Sequence, residues 1–314
     1  MNFAQLLNQL PGAVAQGLIW GIMAIGVYIT FRILDIADLT VDGSIATGGA
    51  VAAILIANGV HPWLAALIAF LAGMAAGAVT GLFHTAMGIP AILAGILTQL
   101  ALYSVNLRIQ GIGTDLGSRA NVPLSINKYK NMLVSLRNVG SFTLENPIWL
   151  MLLITAVLIG LMYWFFGTEY GCGLRAVGAN QQMARAQGIN TSHGKVIGLM
   201  ISNGLVAFCG ALMAQYQGFS DVSMGRGAIV IGLAAVIIGE VIFGKLFRNF
   251  ALKLLAVSFG AIIYYLVIQI VLWLGLNTDD LKLLTAVVVA LFLAMPHWKA
   301  QVTARKMKGG TSRV

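Results

Sequence analysis

The sequence predicts an all-α membrane protein, a polytopic bundle of about eight to ten transmembrane helices. Of its 314 residues, 59% are apolar and only 9% are charged, whereas a soluble globular chain has about 45–50% apolar and about 25% charged residues. So few charges cannot cover the surface of a water-soluble fold. The composition therefore excludes a soluble enzyme, a disordered protein and a nucleic-acid-binding protein, even though the net charge is +9.

Nine apolar runs predict the membrane spans. The runs lack the two-residue alternation of a strand, and prolines open several of them, where the missing N–H costs nothing. Five of the six tryptophans lie at run ends, as expected of residues at the membrane interface; Trp20 lies inside the first run. The predicted spans are 12–33, 43–59, 63–86, 90–107, 147–166, 195–215, 227–244, 251–273 and 281–296.

Basic residues predict the orientation of the spans. Segment 297–314 carries five Lys and Arg and no acidic residue, so the positive-inside rule places this tail in the cytoplasm. Counting back, loop 167–194 is cytoplasmic and loop 108–146 is external. The basic residues of 108–146 run against the rule, which a folded external cap would explain. We therefore expect a single transmembrane domain in the plasma membrane, over residues 1–314, with its C-terminus in the cytoplasm.

Small residues predict close helix packing in the third span. Gly73, Gly77 and Gly81 recur every four residues, so they share one helix face and let a neighbouring helix approach closely. We expect this face to pack within the chain. A seam between two copies of the chain is the alternative.

A short similarity between two parts of the sequence predicts inverted repeats. A helix that begins at Gly17 leads into an acidic break and then Gly43, and a helix that begins at Gly204 leads into Asp221 and then Gly225. The predicted topology puts the two breaks on opposite sides of the membrane. Opposite-facing repeats are a frequent plan in transporters.

An acidic stretch between the first two spans is the first candidate site. Asp35, Asp38 and Asp42 surround Thr40, and carboxylates at membrane depth are costly unless they have partners or water. One interpretation is an ordinary solvated loop. The other is a broken helix whose free backbone groups line a translocation pathway, and on that basis we assign Asp38, Thr40 and Asp42 to the pathway or its gate.

Glu240 is the second candidate, because apolar residues flank it on both sides. A buried carboxylate needs a cation, a hydrogen-bond donor or a proton, and Lys245 and Arg248 are near in sequence. A structural role and a role in the pathway both stay open. The predicted topology places Glu240 and the Asp38/Asp42 turn together toward the cytoplasmic end.

Sequence motifs give no sign of an enzyme. The stretch from Gly239 to Lys245 resembles a phosphate-binding loop, but Leu246 stands where Ser or Thr is required and a membrane span precedes it instead of a strand. Cys209 lies in an apolar run and Cys172 lies in a basic loop, so we expect neither a disulfide nor a metal site. We expect no catalytic residue, no metal and no cofactor bound by this chain.

The cytoplasmic loop has the most specific pattern. Residues 179–187 predict a short helix with a polar exposed face, and Gly188 follows as its C-cap. A short polar helix outside the bilayer gains little on its own. We therefore interpret it as a docking element for another protein.

The same loop resembles that of a known family. The stretches Glu169-Tyr-Gly-Cys-Gly-Leu-Arg-Ala-Val-Gly-Ala-Asn180 and Ala184-Arg-Ala-Gln-Gly-Ile-Asn190 resemble the cytoplasmic loop of bacterial ABC importer permeases of the branched-chain amino-acid permease family. The run 204–218 and the final Ala294-Met-Pro296 extend the likeness over nearly the whole chain. Tryptophan- and tyrosine-type permeases are the most similar group.

This resemblance implies a transport subunit with no ATPase site of its own. It implies two ATP-hydrolysing ABC subunits on the cytoplasmic side, an external solute-binding protein, and a second permease copy, either identical or a paralogue, in the lipid bilayer of the bacterial inner membrane. The coupling residues that would contact the ATPase are Arg175, Asn180, Gln181 and Arg185. No nucleic-acid partner is implied.

The resemblance also bears on the substrate. Asp38-Leu-Thr-Val-Asp42-Gly43 stands where branched-chain permeases have a stretch like Asn-Phe-Ala-His-Gly. This departure shifts the expected substrate toward an aromatic amino acid, with a branched-chain-like amino acid or similar small solute still open. The alternatives are an ion-coupled secondary transporter that uses Asp38, Asp42 and Glu240, and a membrane scaffold.

Overall fold

The computed structural model describes residues 3–114, 117–124, 147–244, 246, 247, 249–274 and seven residues between 283 and 294, with side chains from residue 9 onward. This part of the chain is a helical bundle with one short pair of antiparallel strands. In chain order, the elements are α1 Phe3–Tyr28, a π-helix Ile29–Ile33, α2 Val41–Ala57, α3 Pro62–Thr85, α4 Ala91–Gln110, β1 Asn121–Pro123, α5 Pro147–Gly167, α6 Glu169–Ala179, α7 Gln181–Ala186, α8 Thr191–Gln217, β2 Phe219–Asp221, α9 Ala228–Phe243 and α10 Phe250–Trp273.

The helices confirm the predicted membrane bundle. Within the described part of the chain, six stretches are long and apolar enough to cross a bilayer, and α2 and α9 are shorter apolar helices. Each of the first eight predicted spans coincides with one of these helices. Most of the ninth predicted span, most of the loop 108–146 and the whole basic tail 297–314 lie outside the described residues.

The two ends of the bundle carry different short elements: α6 and the π-helix lie at one end, and the two strands lie at the other. At one end, called here the α6 face, Ile33 contacts Gly178 of α6. At the other end, called the strand face, Val122 of β1 pairs with Ser220 of β2, and Ile54 and Ile56 of α2 pack near the strands. Helix α8 begins beside α7 and ends at β2, so it runs the full distance between the two faces.

Helix α3 packs on α8 through its three glycines. A side chain at Gly73 or Gly77 would collide with the backbone of α8 at Asn203 or Leu199, and one at Gly81 would be only 3.0 Å from Val196. The missing side chains let the two helices approach closely. The prediction of close packing within the chain is confirmed, and the alternative of a seam between copies is wrong.

Helices α2 and α9 begin at mid-depth in the bundle. The linker 34–40 reaches from the α6 face to Asn203, which lies twelve residues into the 27-residue helix α8, or about 18 Å along it at 1.5 Å per residue. From the other side, the turn before α9 descends along α2 until Gly225 touches the backbone of Asp42. The amino ends of two short helices therefore meet inside the protein.

These helices form two pairs that run in opposite directions. In the first pair, α1 reaches the α6 face and α2 returns from mid-depth; in the second, α8 reaches the strand face and α9 returns from mid-depth. Gly232 of α9 lies against Val27 of α1, and Gly48 of α2 lies against Ala207 of α8. This is the arrangement expected of inverted repeats, which the internal sequence similarity predicts.

Candidate functional site

A buried polar network surrounds the start of α2. Asp38 is 3% exposed and Thr40 is fully buried, so the interpretation of this stretch as a solvated loop is wrong. One oxygen of Asp38 accepts the backbone N–H of Thr40 at 2.9 Å, and the other accepts Nδ2 of Asn203 at 2.7 Å. Asp38 therefore joins the linker 34–40 to α8.

Hydroxyl groups extend this network to α3 and α4. Thr40 shares a hydrogen bond of 2.8 Å with Thr80 of α3, and Thr80 donates to Thr98 of α4 at 2.9 Å. Ser44 of α2 donates to Oδ1 of Asn203 at 2.6 Å. All of these side chains are buried, so the network joins α2, α3, α4 and α8 around the linker, where such groups are stable only when hydrogen-bonded.

Asp42 binds the amino end of α9. Its Oδ2 accepts the N–H of Gly227, and its Oδ1 accepts the N–H of Ile229, both at 3.0 Å. The first N–H groups of a helix lack partners within the helix, and the amino end carries a partial positive charge that favours an anion. Asp42 therefore joins the beginning of α2 to the beginning of α9.

Glu240 pairs with a residue far away in the sequence. Its carboxylate receives two hydrogen bonds from the guanidinium of Arg32, which belongs to the π-helix. The Nε–Oε1 distance is 2.8 Å, and the side chains are 51% exposed for Arg32 and 30% for Glu240. The suggested partners Lys245 and Arg248 lie outside the described residues.

The predicted pathway residues occupy two separate places. Asp38, Thr40 and Asp42 lie at mid-depth, whereas Glu240 lies beside Arg32 at the α6 face. Glu240 is eleven residues after Ile229 in α9, or about 17 Å along the helix. The expectation that all of them lie together toward one end is wrong, because the linker after the π-helix turns back into the bundle.

The predicted docking segment contains two helices. Thr168 caps α6, which covers Glu169–Ala179, and Oδ1 of Asn180 accepts the N–H of Met183 at the start of α7. The prediction of a helix over 179–187 is thus confirmed for Gln181–Ala186, and Gly188 follows with φ of +79°. Helix α6 was not predicted, because three glycines weaken its helix propensity.

The two predicted docking arginines have different surroundings. The guanidinium of Arg175 lies over the ring of Phe250, 4.2 Å from its centroid, and 5.6 Å from that of Phe166. Arg185 donates from Nε to the hydroxyl of Thr191 at 2.8 Å. Arg175 therefore joins α6 to α5 and α10, while Arg185 fixes α7 to the start of α8.

A large basic cavity opens beside α6. Its volume is about 870 Å³, and its lining includes Arg32, Arg175 and Lys253 together with aromatic residues of α5 and α10. The backbone of Ile33 lies directly against Gly178 of α6. Helix α6 and the π-helix consequently form a continuous wall of this cavity. Among the described residues, no three His, Cys, Asp or Glu side chains cluster as a metal site would require.

Two residues of the site were missed by reading the sequence. Asn203 gives a sequence signal, since an amide inside an apolar run needs a buried partner. Arg32 gives one as well, as a cation at the end of the first span. Neither signal identifies the partner, because Asn203 is 165 residues from Asp38 and Arg32 is 208 residues from Glu240.

Comparison with known proteins adds family evidence to this geometry. The family described as the permease component of the branched-chain amino acid transport system matches residues 10–296. A tyrosine transport system permease protein of Clostridioides difficile is 42% identical over 289 residues, which cover 92% of this chain and 91% of that protein. The ribose import permease protein RbsC of Escherichia coli is 27% identical and covers 74% of this chain and 69% of its own length.

One solved structure resembles the fold only distantly. PsaBC from Streptococcus pneumoniae in complex with Fab gives a TM-score of 0.41 at 14% identity, with 85% of this chain and 95% of that chain covered. The family assignment depends on the match over residues 10–296 and on the 42% identity across most of both chains. The chain therefore belongs to the family of permease components of branched-chain amino acid transport systems, the membrane subunits of ABC transporters.

Proposed function

We propose that this chain is the membrane subunit of an ABC importer that moves an amino acid into the cell. The observation that carries the proposal is the 42% identity to a tyrosine transport system permease across nine-tenths of both chains. The ribose permease is less similar and covers less of this chain, so an amino acid is favoured over a sugar. ATP is hydrolysed by partner subunits, and this chain supplies the route through the bilayer.

The α6 face is the proposed contact for the ATPase subunits. Helix α7 is short and polar, and it leaves the side chain of Met183 63% exposed. A large exposed apolar side chain on a polar helix is typical of an anchor in a protein interface. Asn180 and Arg185 hold this helix in place through the Met183 N–H and the Thr191 hydroxyl, and Gln181 begins it. This assignment makes the α6 face and the C-terminal tail cytoplasmic.

The mid-depth junction of α2 and α9 is the proposed gate. Broken helices whose ends meet near the membrane centre commonly form the transport site in carriers. In this chain, Asp42 joins the two amino ends, and Asp38 ties the linker to α8. Movement of α9 relative to α2 would separate Asp42 from Gly227 and Ile229. Thr40 belongs to the same junction through Thr80 of α3.

Glu240 acts at a different point of the route in this proposal. It lies at the α6 face, paired with Arg32, next to the cavity that Arg175 lines. A paired carboxylate at this end is placed to respond to movements of α6. Glu240 therefore belongs to the cytoplasmic end, with Asp42 at the membrane centre.

An ion-coupled carrier is the second candidate. It needs a carboxylate that exchanges a proton or a sodium ion during transport. Asp38 and Asp42 each use both oxygens in hydrogen bonds to the protein, and Glu240 pairs with Arg32. These contacts favour structural roles for the three carboxylates and therefore favour the ATP-driven importer.

The importer needs partners beyond this chain. Two ATPase subunits each require a docking segment, so the proposed assembly contains two permease chains, either identical or paired with a paralogue. An external solute-binding protein delivers the substrate to the strand face. Bacterial inner membrane is the corresponding location.

Reconstitution into vesicles tests the proposed function. The permease is purified with the ATPase that co-purifies with it, and uptake of radiolabelled amino acids is measured with ATP inside or outside and with the solute-binding protein present. Uptake that requires ATP at the ATPase side, and that survives collapse of proton and sodium gradients, supports the importer. Uptake that follows an ion gradient without ATP would establish the second candidate instead.

A further inference from the structure

The basic cavity beside α6 lies at the end of the bundle, between the carboxyl end of α5 and the amino end of α10. One side of α6 lines it, through Cys172 and Arg175. The other side of α6 packs on α8, where Leu174 and Val177 lie against Gly194. The cavity is therefore on the side of α6 that faces α5 and α10.

The charged residues that line this cavity are all cations. Among the described residues of the lining, Arg32, Arg175 and Lys253 are basic and none is acidic. Arg32 is paired with Glu240. The guanidinium of Arg175 is held over the ring of Phe250, and Lys253 is exposed. Since neither Arg175 nor Lys253 forms an ion pair within the described part of the chain, the cavity has two positive charges without a carboxylate partner.

The amino end of α10 adds a further attraction for an anion. This helix of 24 residues begins at Phe250, and no side chain caps it in the part of the chain that the structure describes. Asn249 and Phe250 both line the cavity. The first N–H groups of a helix lack partners within the helix, and phosphate groups bind readily at such ends. Guanidinium groups also bind phosphate well, so the cavity combines two kinds of phosphate-binding group.

An exposed apolar stripe on α5 ends at the same cavity. Leu153, Val157, Leu161 and Trp164 follow one another at three- or four-residue spacing, so they share one face of the helix, and each is at least 50% exposed. The stripe is about 17 Å long at 1.5 Å per residue, close to half of the hydrocarbon core of a bilayer, which is about 30 Å thick. Trp164 and its neighbour Tyr163 line the cavity, as expected of aromatic residues at the membrane interface.

We propose that the basic cavity binds the headgroup of an anionic phospholipid, with an acyl chain of the same lipid along the α5 stripe. The phosphate accepts hydrogen bonds from Arg175 and is attracted by Lys253 and the amino end of α10. Trp164 lies at the boundary between headgroup and acyl chain. The volume of about 870 Å³ is within the range of small-molecule sites, about 300–1,000 Å³. The proposal depends neither on the transported solute nor on the energy source of transport.

Other occupants fit the cavity and the stripe less well. A zwitterionic phospholipid brings its own cation to a basic cavity, which offsets the attraction of its phosphate. A free phosphate ion has no acyl chain for the adjoining stripe. A second copy of the chain would bring a second set of the same cations to a two-fold interface, and the stripe has no acidic residue that would neutralise them.

Native mass spectrometry of the detergent-solubilised permease, with its co-purified ATPase, tests the proposal. The complex is titrated with phosphatidylglycerol, which is anionic, and with phosphatidylcholine of identical acyl chains, which is zwitterionic. Inorganic phosphate and glycerol phosphate are added as competitors, because they carry the phosphate group without an acyl chain. The dissociation constant of the tightest bound lipid is compared between the two titrations.

The variants separate the contribution of charge from that of the aromatic ring. Lys253→Gln removes a charge from the cavity, and Lys253→Arg keeps it. Trp164→Ala removes the ring. The matched controls are Lys195→Gln, since Lys195 contacts His84 at the start of α8 and lies outside the cavity lining, and Trp149→Ala, since Trp149 is 57% exposed at the opposite end of α5. Melting temperatures show whether each variant is folded.

The expected result is phosphatidylglycerol binding that is about tenfold tighter than phosphatidylcholine binding, the scale of two basic residues near a membrane surface. Lys253→Gln should weaken phosphatidylglycerol binding about fivefold, as expected for the loss of one such residue, and Lys253→Arg should match the wild type. Trp164→Ala should weaken the binding of both lipids and leave their ratio unchanged. Lys195→Gln and Trp149→Ala should bind both lipids as the wild type does.

Three results would overturn the proposal. The first is equal binding of the two lipids by the wild type, and the second is a folded Lys253→Gln variant that keeps the full preference for phosphatidylglycerol. The third is displacement of the lipid by inorganic phosphate or glycerol phosphate, which would identify a site for free anions. None of these results would affect the proposed importer function, which is tested by uptake.

Discussion

The carboxylate of Asp42 lies at the amino end of α9, where its Oδ2 accepts the N–H of Gly227 at 3.0 Å. Asp42 is itself the second residue of α2. One side chain thus serves two helices that begin at mid-depth. Because helix amino ends attract anions, these ends already hold an anion of the protein. The N–H groups of Gly227 and Ile229 are therefore already occupied.

Removing the Asp42 side chain should destabilise the fold. Replacement of a helix-capping Asp by Ala costs about 0.5–2 kcal/mol, so the Asp42→Ala variant should show a lower melting temperature in detergent and a lower uptake rate. Asp42→Asn keeps one acceptor oxygen and should lose less. The control is Asp35→Asn, because Asp35 is exposed and has φ of +54°, which Asn tolerates. Equal melting temperatures for Asp42→Ala and the wild type would contradict the cap.

The contact between Arg32 and Glu240 should matter more for transport than for stability. Partly exposed ion pairs contribute about 0.2–1 kcal/mol, so Arg32→Gln and Glu240→Gln should change the melting temperature little. Both should lower coupled uptake, and the double variant should be no worse than either single one, since both remove the same contact. Uptake rates and ATPase rates of the assembled complex check this. Additive losses in the double variant would show that the two residues act independently.

Met183 should contribute more to binding of the ATPase than its neighbour Gln182 does. The side chain of Met183 is 63% exposed on α7, and truncation of an apolar anchor commonly costs more than 1 kcal/mol of binding. Met183→Ala should therefore weaken ATPase binding by about tenfold in a pull-down titration. Gln182→Ala, also on the exposed surface, should weaken it by less than about threefold, as expected of a polar residue at the rim of an interface. Unchanged binding by the Met183→Ala variant would show that α7 is not part of the interface.

Replacement of Arg185 and replacement of Arg175, both at the α6 face, should have different effects. Arg185 fixes α7 to Thr191, so Arg185→Glu should release the ATPase. Arg175 stacks on Phe250, so Arg175→Glu should first disturb the packing of α6 on α10 and lower the melting temperature. Size-exclusion chromatography of the complex and thermal melting of the permease distinguish the two effects. ATPase loss at full thermal stability in Arg175→Glu would instead make Arg175 a direct contact.

The close contact between α3 and α8 should not tolerate a methyl group. In Gly77→Ala, the new Cβ would collide with the backbone of Leu199, and overpacking costs about 1–3 kcal/mol. Gly160 of α5 has nothing within 4 Å of the equivalent position, so Gly160→Ala is the matched control and should melt at or above the wild-type temperature. A Gly77→Ala variant as stable as Gly160→Ala would mean that the helices separate easily.

The sequence predicts the helices much better than their partners. Apolar runs bounded by prolines predict the spans, because crossing a bilayer requires length and low polarity. This rule does not predict helix α6, because α6 lies at the end of the bundle. Its signal is the three-residue spacing of the buried Gly171, Leu174 and Val177 after the capping Thr168, which is a local helix pattern without membrane character.

The contacts of the charged residues follow from the tertiary fold alone. Sequence proximity suggested Lys245 and Arg248 for Glu240, and both lie outside the described residues. The partner that the structure shows is Arg32, in the π-helix that follows α1 and 208 residues from Glu240. The depth of Asp38 depends on the return of linker 34–40 into the bundle after the π-helix, and periodicity does not encode that return. Composition identifies which residues need partners, and only the packed helices determine which partners they receive.

The separation in sequence across the mid-depth junction has a consequence for biosynthesis. Asp38 meets Asn203 after 165 residues, Asp42 meets Gly227 after 185, and Arg32 meets Glu240 after 208. While the ribosome is still making α3 to α7, the acidic linker and α2 are already synthesised but have none of these partners. Carboxylates exposed to lipid are costly, so the early helices must shelter Asp38 and Asp42 by other means until α8 and α9 are inserted. The mid-depth junction of α2 and α9 therefore forms only late in the synthesis of the chain.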